Sequence, residues 1–222
     1  MSPSQGEGCG FESRLSLISN TYMKRILFLQ HYKCDDWRQV PYRDAVKRSK
    51  GISSPSIDIE TIDQYFHENY QLQDFKTYDI IITSPIQRAR QTAQYLKYIL
   101  NIPVKINYNL REVTWDLSKH INEIDYENAK ELGRYDIGNK RIIDFLYSNK
   151  VINIKDIDKR IKELIKDIQN SQYENIVCVT HGFFMKVIYI YFIMNKDLNT
   201  INEEDFNIRM PIKHLRGFEI NI

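Results

Sequence analysis

Cysteine is scarce in this sequence, and the three present (Cys9, Cys34 and Cys178) stand far apart. That spacing excludes a disulfide framework and a paired-cysteine zinc site, and it suits a reducing compartment. Neither sign of charge dominates. Against 31 Lys and Arg stand 29 Asp and Glu, a net charge of +2. Binding to nucleic acid or to an anionic membrane draws on a larger, clustered basic excess, so neither partner is expected. Long apolar runs are missing as well. The longest, Phe183 to Met194, is broken by Lys186 and falls short of the roughly 20 residues that cross a bilayer. Leu15-Ser16-Leu17-Ile18 is too short for the apolar region of a signal peptide. The expectation is a cytoplasmic protein. Alanine, finally, is reduced to 4 residues while isoleucine reaches 33. A single Ile therefore carries little information here, and only spacing does.

What is present suffices for a folded domain. The 222 residues are 42% hydrophobic and 12% aromatic, enough to bury a core. Residues 1–22, rich in Ser and Gly without a period, read as a tail or as residues ahead of a start at Met23. Residues 23–222 read as one domain.

From Met23 onward, strand-like and helix-like segments alternate. Residues 25–29 form a continuous apolar run, the mark of a strand covered on both faces. A polar, turn-rich stretch with Pro41, Gly51 and Pro55 comes next, and 58–71 is read as a helix. Strands are expected at 78–83, 104–108, 175–180 and 217–222. Ser84-Pro85 opens a helix over 86–100, because proline suits a first helical turn. Residues 120–149 look mostly helical. Ile157, Ile161, Leu164, Ile165 and Ile168 recur at helical spacing, predicting an amphipathic helix over 155–170. Another helix is expected over 182–194. Strands alternating with helices predict an α/β fold, a three-layer α/β/α sandwich with a mainly parallel central sheet.

In such sheets the ligand crevice lies beyond the carboxyl ends of the strands. The first apolar run is followed by Gln30, His31, Tyr32 and Lys33, and the second by Ser84, Pro85 and a helix carrying Arg88. Leu110, Arg111 and Glu112 come after the third, His181 and Gly182 after the fourth. Two histidines, an arginine and a carboxylate thus converge on one edge. Together they are competent for phosphoryl transfer. An imidazole attacks phosphorus at neutral pH. An arginine near a helix N-terminus suits phosphate by charge and by its planar fork. A second histidine can hold another phosphate oxygen as charge spreads. A carboxyl group with a raised pKa can protonate the leaving oxygen and then activate water. No metal or other cofactor is needed.

On these residues the sequence resembles the histidine phosphatase superfamily, also called phosphoglycerate mutase-like. The family's Ser-Pro-x-x-Arg-Ala-x-x-Thr-Ala motif is matched in full by Ser84-Pro85-Ile86-Gln87-Arg88-Ala89-Arg90-Gln91-Thr92-Ala93. Its second histidine is matched by Val179-Thr180-His181-Gly182, and its acid, which comes after a leucine, by Leu110-Arg111-Glu112. The likeness covers 24–222. It implies that His31 is the nucleophile and becomes phosphohistidine, that Arg88 and His181 line the phosphate pocket, and that Glu112 is the proton donor. The implied activity is metal-independent phosphomonoester hydrolysis on a phosphorylated small molecule or phosphoprotein. A mutase is disfavoured, because the span from Glu112 to His181 is short for the insertion mutases carry.

The departure lies in the first motif. Where the family has Arg-His-Gly, this chain has Gln30-His31-Tyr32. Gln30 can still donate hydrogen bonds to phosphate but brings no charge. Losing one such transition-state contact costs roughly 3–4 kcal/mol, about 10²–10³ in rate. Lys33 and Arg38 are candidates to restore the charge, and Tyr32 to narrow the pocket or lend its hydroxyl. A family member impaired in catalysis, which binds a phosphorylated ligand or partner, is therefore the competing reading. Cys34 lacks the neighbours for a metal site or an activated thiol. Cys178 and the pair Phe183-Phe184 read as core. Neither His67 nor His214 is given chemistry, whereas His120, Trp115 and Asp116 are candidates for the pocket rim.

Overall fold

The computed structural model describes residues 23–34, 40–131, 154–207 and 215–222. Its centre is a five-stranded sheet in the order β3-β2-β4-β1-β5, with β1 at Arg25–Gln30, β2 at Ile80–Thr83, β3 at Val104–Ile106, β4 at Asn175–Thr180 and β5 at Gly217–Asn221. The first four strands run parallel to their neighbours, and β5 pairs antiparallel with β1 at the edge. The mainly parallel sheet expected from the alternating elements is what forms.

Side chains alternate across a strand, and the alternation divides the core into two. Ile26, Phe28, Ile80, Ile82, Ile176 and Cys178 face one layer, where they meet Ala45, Tyr126, Ile157, Ile161, Leu164, Phe184 and Ile188. Leu29, Ile81, Val177 and Val179 face the other, against Ile62, Phe66, Ala89, Ala93 and Leu96. Helices α1 (Tyr42–Ser49), α4 (Glu123–Glu131), α5 (Ile154–Gln169) and α6 (Gly182–Phe192) therefore cover one face, and α2 (Ile59–Asn69) and α3 (Gln87–Leu100) the other. A short α7 spans Glu203–Asn207. The α5 stripe is the one read from sequence: Ile157, Ile161, Leu164 and Ile168 are all buried. Each such side chain contributes roughly 1.5–3 kcal/mol when fully removed from water.

Several boundaries differ from expectation. Within the turn-rich stretch lies α1, which starts after Pro41 and buries only Ala45. One buried residue gives too faint a period to read, and Pro41, which reads as turn chemistry, instead leads into the helix. The third strand ends at Ile106, and Tyr108–Leu110 curls into a 3-10 turn capped by Asn107, whose side chain accepts from Asn109 N–H. Of the helix expected over 120–149, Glu123–Glu131 forms, and 132–149 lies outside the described residues. The 1–22 tail, Arg38 and His214 also lie outside them. No helix among the described residues is long and apolar enough to cross a membrane.

Candidate active site

Strand register assembles the site. In the parallel pair of β1 and β4, Gln30 stands opposite Thr180, so the next residue of each strand leaves the sheet beside the other. The backbone confirms this, His31 N–H donating to Thr180 O at 2.9 Å. His31 and His181 thus sit side by side, with ring centroids 5.2 Å apart. Both are buried. On the other flank of β4, Ser84 N–H donates to Val179 O at 3.0 Å and places the start of α3 next to them. This is the crevice that parallel topology creates where neighbouring strands continue in different directions.

The hydrogen bonds of His31 define its tautomer. Nδ1 lies 2.6 Å from the carbonyl oxygen of Tyr32, which can only accept, so Nδ1 carries the proton. Nε2 then holds a lone pair, and Arg88 Nε donates to it at 2.9 Å. Arg88 is the second residue of α3 and reaches on to Ser54 Oγ at 3.3 Å. Burial lowers the pKa of its guanidinium, with Glu112 and Cys34 opposing and Arg48 adding to the fall. A half-buried guanidinium beside an imidazole can receive an anion by charge and by its planar fork.

His181 precedes α6 but does not cap it with its side chain. Its Nε2 instead bonds Ser84 Oγ at 2.8 Å, which ties the second histidine to the Ser84-Pro85 turn. The capping carboxylate comes from elsewhere. Glu112 Oε1 accepts from Phe184 N–H at 3.0 Å and from Val113 N–H at 2.9 Å. Phe184 is the third residue of α6, whose N–H has no partner within the helix. Glu112 is thereby fixed at the helix N-terminus, within electrostatic reach of Arg88. Thr180 Oγ1 donates to Leu110 O at 2.6 Å and holds the approach to Glu112 against β4.

The structure thus brings His31, Arg88, His181 and Glu112 into one crevice. A model of the histidine phosphatase superfamily (branch 1) matches residues 66–207, a span holding three of the four. The chain belongs to the histidine phosphatase superfamily. Like its family it has phosphatase relatives. The protein named "Putative phosphoserine phosphatase 2" of Hydrogenobacter thermophilus is 25% identical over 170 residues, covering 72% of this chain and 74% of that protein. Among solved structures, a phosphoglycerate mutase from Bacillus anthracis strain Sterne superposes with a TM-score of 0.55 at 12% identity, over 91% of this chain and 89% of that one. A mycobacterial glucosyl-3-phosphoglycerate phosphatase complexed with VO3 gives 0.55 at 15% identity, over 79% and 83%. Both share the fold.

The histidine phosphatase match begins after Gln30-His31-Tyr32. Gln30 keeps its place: its amide lies against Gly182, the first residue of α6. Tyr32 neither narrows the pocket nor lends its hydroxyl. The ring is buried and packs on Tyr65 of α2, and the hydroxyl donates to Thr61 O at 3.2 Å. Its N–H donates to Thr92 Oγ1 at 2.9 Å. Its φ is not among the positive values found in the described residues, so nothing in the backbone requires the family's glycine. Lys33, exposed, pairs with Asp58 at 3.1 Å and lies over the Tyr32 ring. Trp115 sits in the core, stacked by His120 at 5.5 Å, and Asp116 pairs with Lys50 at 3.1 Å. These three brace the loop after Glu112. Cys178 is fully buried, and burial drives its thiol pKa upward.

Ser54, Arg48 and Arg160 escape a reading of the sequence. Nothing local marks Ser54 or Arg48. Arg160 does leave a signal, because it stands three residues after Ile157 and four before Leu164, on the edge of an apolar stripe.

Proposed function

We propose that the protein is a phosphomonoesterase working through a phosphohistidine on His31, with Glu112 as general acid and base. The observation that carries this reading is the His31 tautomer: Nδ1–H is held by Tyr32 O, and the lone pair on Nε2 faces Arg88. A phosphoryl group entering between them takes over the Arg88 N–H and meets the lone pair in line. Nε2 attacks phosphorus while the bond from phosphorus to the leaving oxygen breaks. Arg88, His181 and the Gln30 amide hold the equatorial oxygens as charge spreads over them. Because Oε1 of Glu112 accepts two backbone N–H groups, Oε2 is the oxygen that gives its proton to the departing alcohol. In the second step Glu112 takes a proton from water, the water oxygen attacks phosphorus, and the N–P bond breaks. Inorganic phosphate leaves with His31 neutral and Glu112 protonated again.

The scheme takes all its positive charge from side chains and a helix N-terminus, so no metal is required. The substrate is a phosphorylated small molecule or a phosphoprotein, with no nucleic acid or membrane as partner. The phosphoserine and glucosyl-3-phosphoglycerate activities named for the relatives direct a substrate screen to small phosphorylated metabolites first, and phosphopeptides second. The protein is expected in the cytoplasm.

The test is hydrolysis of p-nitrophenyl phosphate in excess chelator by wild type and by His31→Ala. Turnover that falls at least about 10³-fold in the variant is the expected result. Activity that survives in His31→Ala overturns the nucleophile. The uncharged Gln30 favours one competitor, a protein that binds a phosphorylated ligand without turning it over. It is identified by no hydrolysis in either protein, with vanadate still raising the melting temperature of the wild type.

A further inference from the structure

The segment that delivers Glu112 is held by an arginine from another layer of the structure. Arg160, on α5, donates from Nε and Nη2 to Asn109 O at 3.4 and 3.2 Å, and from Nη2 to Arg111 O. Between those two carbonyls, that of Leu110 is held by Thr180 Oγ1. Three consecutive carbonyls entering Glu112 are therefore engaged, two of them by one guanidinium. Partnering of this kind is what a backbone removed from water demands. A second tie binds the same helix to the same segment, Asn107 Nδ2 donating to Asp167 Oδ2 at 3.0 Å.

The other face of the guanidinium covers the ring of Phe184 at 4.4 Å. Phe184 supplies the N–H that holds Glu112 Oε1. Arg160 thus touches both the chain leading into Glu112 and the residue that anchors its carboxylate. Its guanidinium is half-buried. Burial, and then Arg111, bring its pKa down to about 10, while Glu112 works in the opposite direction. It stays protonated at neutral pH, and its planar fork satisfies two carbonyls while standing over a ring, which an ammonium does less well.

We propose that Arg160 is a positioning residue for the general acid: it fixes the Asn109–Arg111 segment against Phe184 so that the Glu112 carboxyl reaches the leaving oxygen. The catalytic half of this inference rests on the phosphatase reading above, and the positional half does not. Arg160 touches no reacting atom, so its removal acts through Glu112, on protonation of the leaving group and on the later water step, and leaves attack by His31 intact. Poor leaving groups depend on that proton, and good ones do not.

The experiment compares wild type, Arg160→Met, Arg160→Lys, Glu112→Gln and the Arg160→Met/Glu112→Gln double variant. Each is assayed on p-nitrophenyl phosphate and on β-glycerophosphate, an alkyl ester. Arg160→Met is expected to lower kcat/KM on the alkyl ester, which reports the steps up to loss of the alcohol and not the later water step, by roughly 10–100-fold, part of the 10²–10⁴ typical of general acid catalysis. On the aryl ester the loss stays within about threefold, and in the Glu112→Gln background Arg160→Met adds nothing on either ester. Equal losses on both esters, or additive losses in the double variant, overturn the inference. Arg160→Lys keeps the charge without the fork and gives the same pattern if Arg160→Met does not fold. Amide hydrogen exchange at Phe184 reads the positional half without any activity. Its N–H is expected to lose protection in both Arg160 variants as Glu112 moves away, and unchanged protection overturns that half. If the wild type hydrolyses neither ester, the phosphatase reading has failed, and the exchange data still decide whether Arg160 places Glu112.

Discussion

The Gln30 amide lies against Gly182, where a Cβ built on the glycine would stand 3.3 Å from Gln30 Nε2 and 3.5 Å from Cδ and Oε1. A side chain from the end of β1 therefore runs across the first residue of α6, over a surface kept low by the lack of a Cβ. The helix N-terminus below it is a site where N–H groups favour anions. The glutamine adds a neutral donor to that surface.

Restoring the charge is the most direct test of what Gln30 does. Gln30→Arg is expected to raise kcat/KM for p-nitrophenyl phosphate by roughly 10²-fold, since a charged donor replaces a neutral one at the transition state. Inhibition by inorganic phosphate should tighten in parallel. No gain in either quantity would show that the charge is supplied from elsewhere in the pocket.

Tyr32 separates stability from catalysis. Tyr32→Phe removes the bonds of its hydroxyl to Thr61 and is expected to cost about 1 kcal/mol, lowering Tm by about 2–4 °C. The hydroxyl lies away from the pocket, so kcat/KM should hold within about twofold. Tyr32→Gly empties a buried aromatic site and is expected to cost roughly 3–5 kcal/mol. Urea unfolding and steady-state kinetics on the same samples decide. Lost activity at unchanged stability in Tyr32→Phe would place the hydroxyl in the chemistry.

Gly217 is where the antiparallel edge strand β5 begins, opposite Leu29 of β1. A Cβ there would fall 1.5 Å from the Phe28 carbonyl oxygen and 2.7 Å from its carbon, so Gly217→Ala forces β5 off β1. A backbone displacement of that kind is expected to cost about 3 kcal/mol and to lower Tm by about 6–12 °C. A melting temperature within about 2 °C of wild type by calorimetry, taking about 1 kcal/mol as the floor, would show that β5 does not close on β1 in this register.

Much of the site is legible because its residues stand directly after strands whose patterns are local. Ile176 to Val179 read as a strand covered on both faces, and the helices on its two sides bear that out. His31 and His181 are marked by their place directly past the end of such a run, Arg88 by its motif, and Glu112 more weakly, beyond the short β3 and a 3-10 turn. The Arg88 motif needs no tertiary information, since its helix starts two residues after Pro85. Other features leave weaker traces. Helix α1 buries one residue, too few for a period. Tyr32 reads as a pocket residue because it adjoins His31, yet its ring turns to α2 to pack on Tyr65, a partner 33 positions along the chain.

By itself the sequence determined the order of strands and helices and the chemical groups at each strand end. Periodicity and turn chemistry act over a few residues, so these are written locally. Only the tertiary structure decided how the groups face one another. The pairing of Gln30 with Thr180 brings two histidines together across 150 residues of chain. The lone pair on His31 Nε2, the anchoring of Glu112 on Phe184 and the grip of Arg160 on its carbonyls all arise from such contacts. Hydrogen bonds are directional and short, so they are set by where distant segments meet once the core has packed, and no local pattern encodes that.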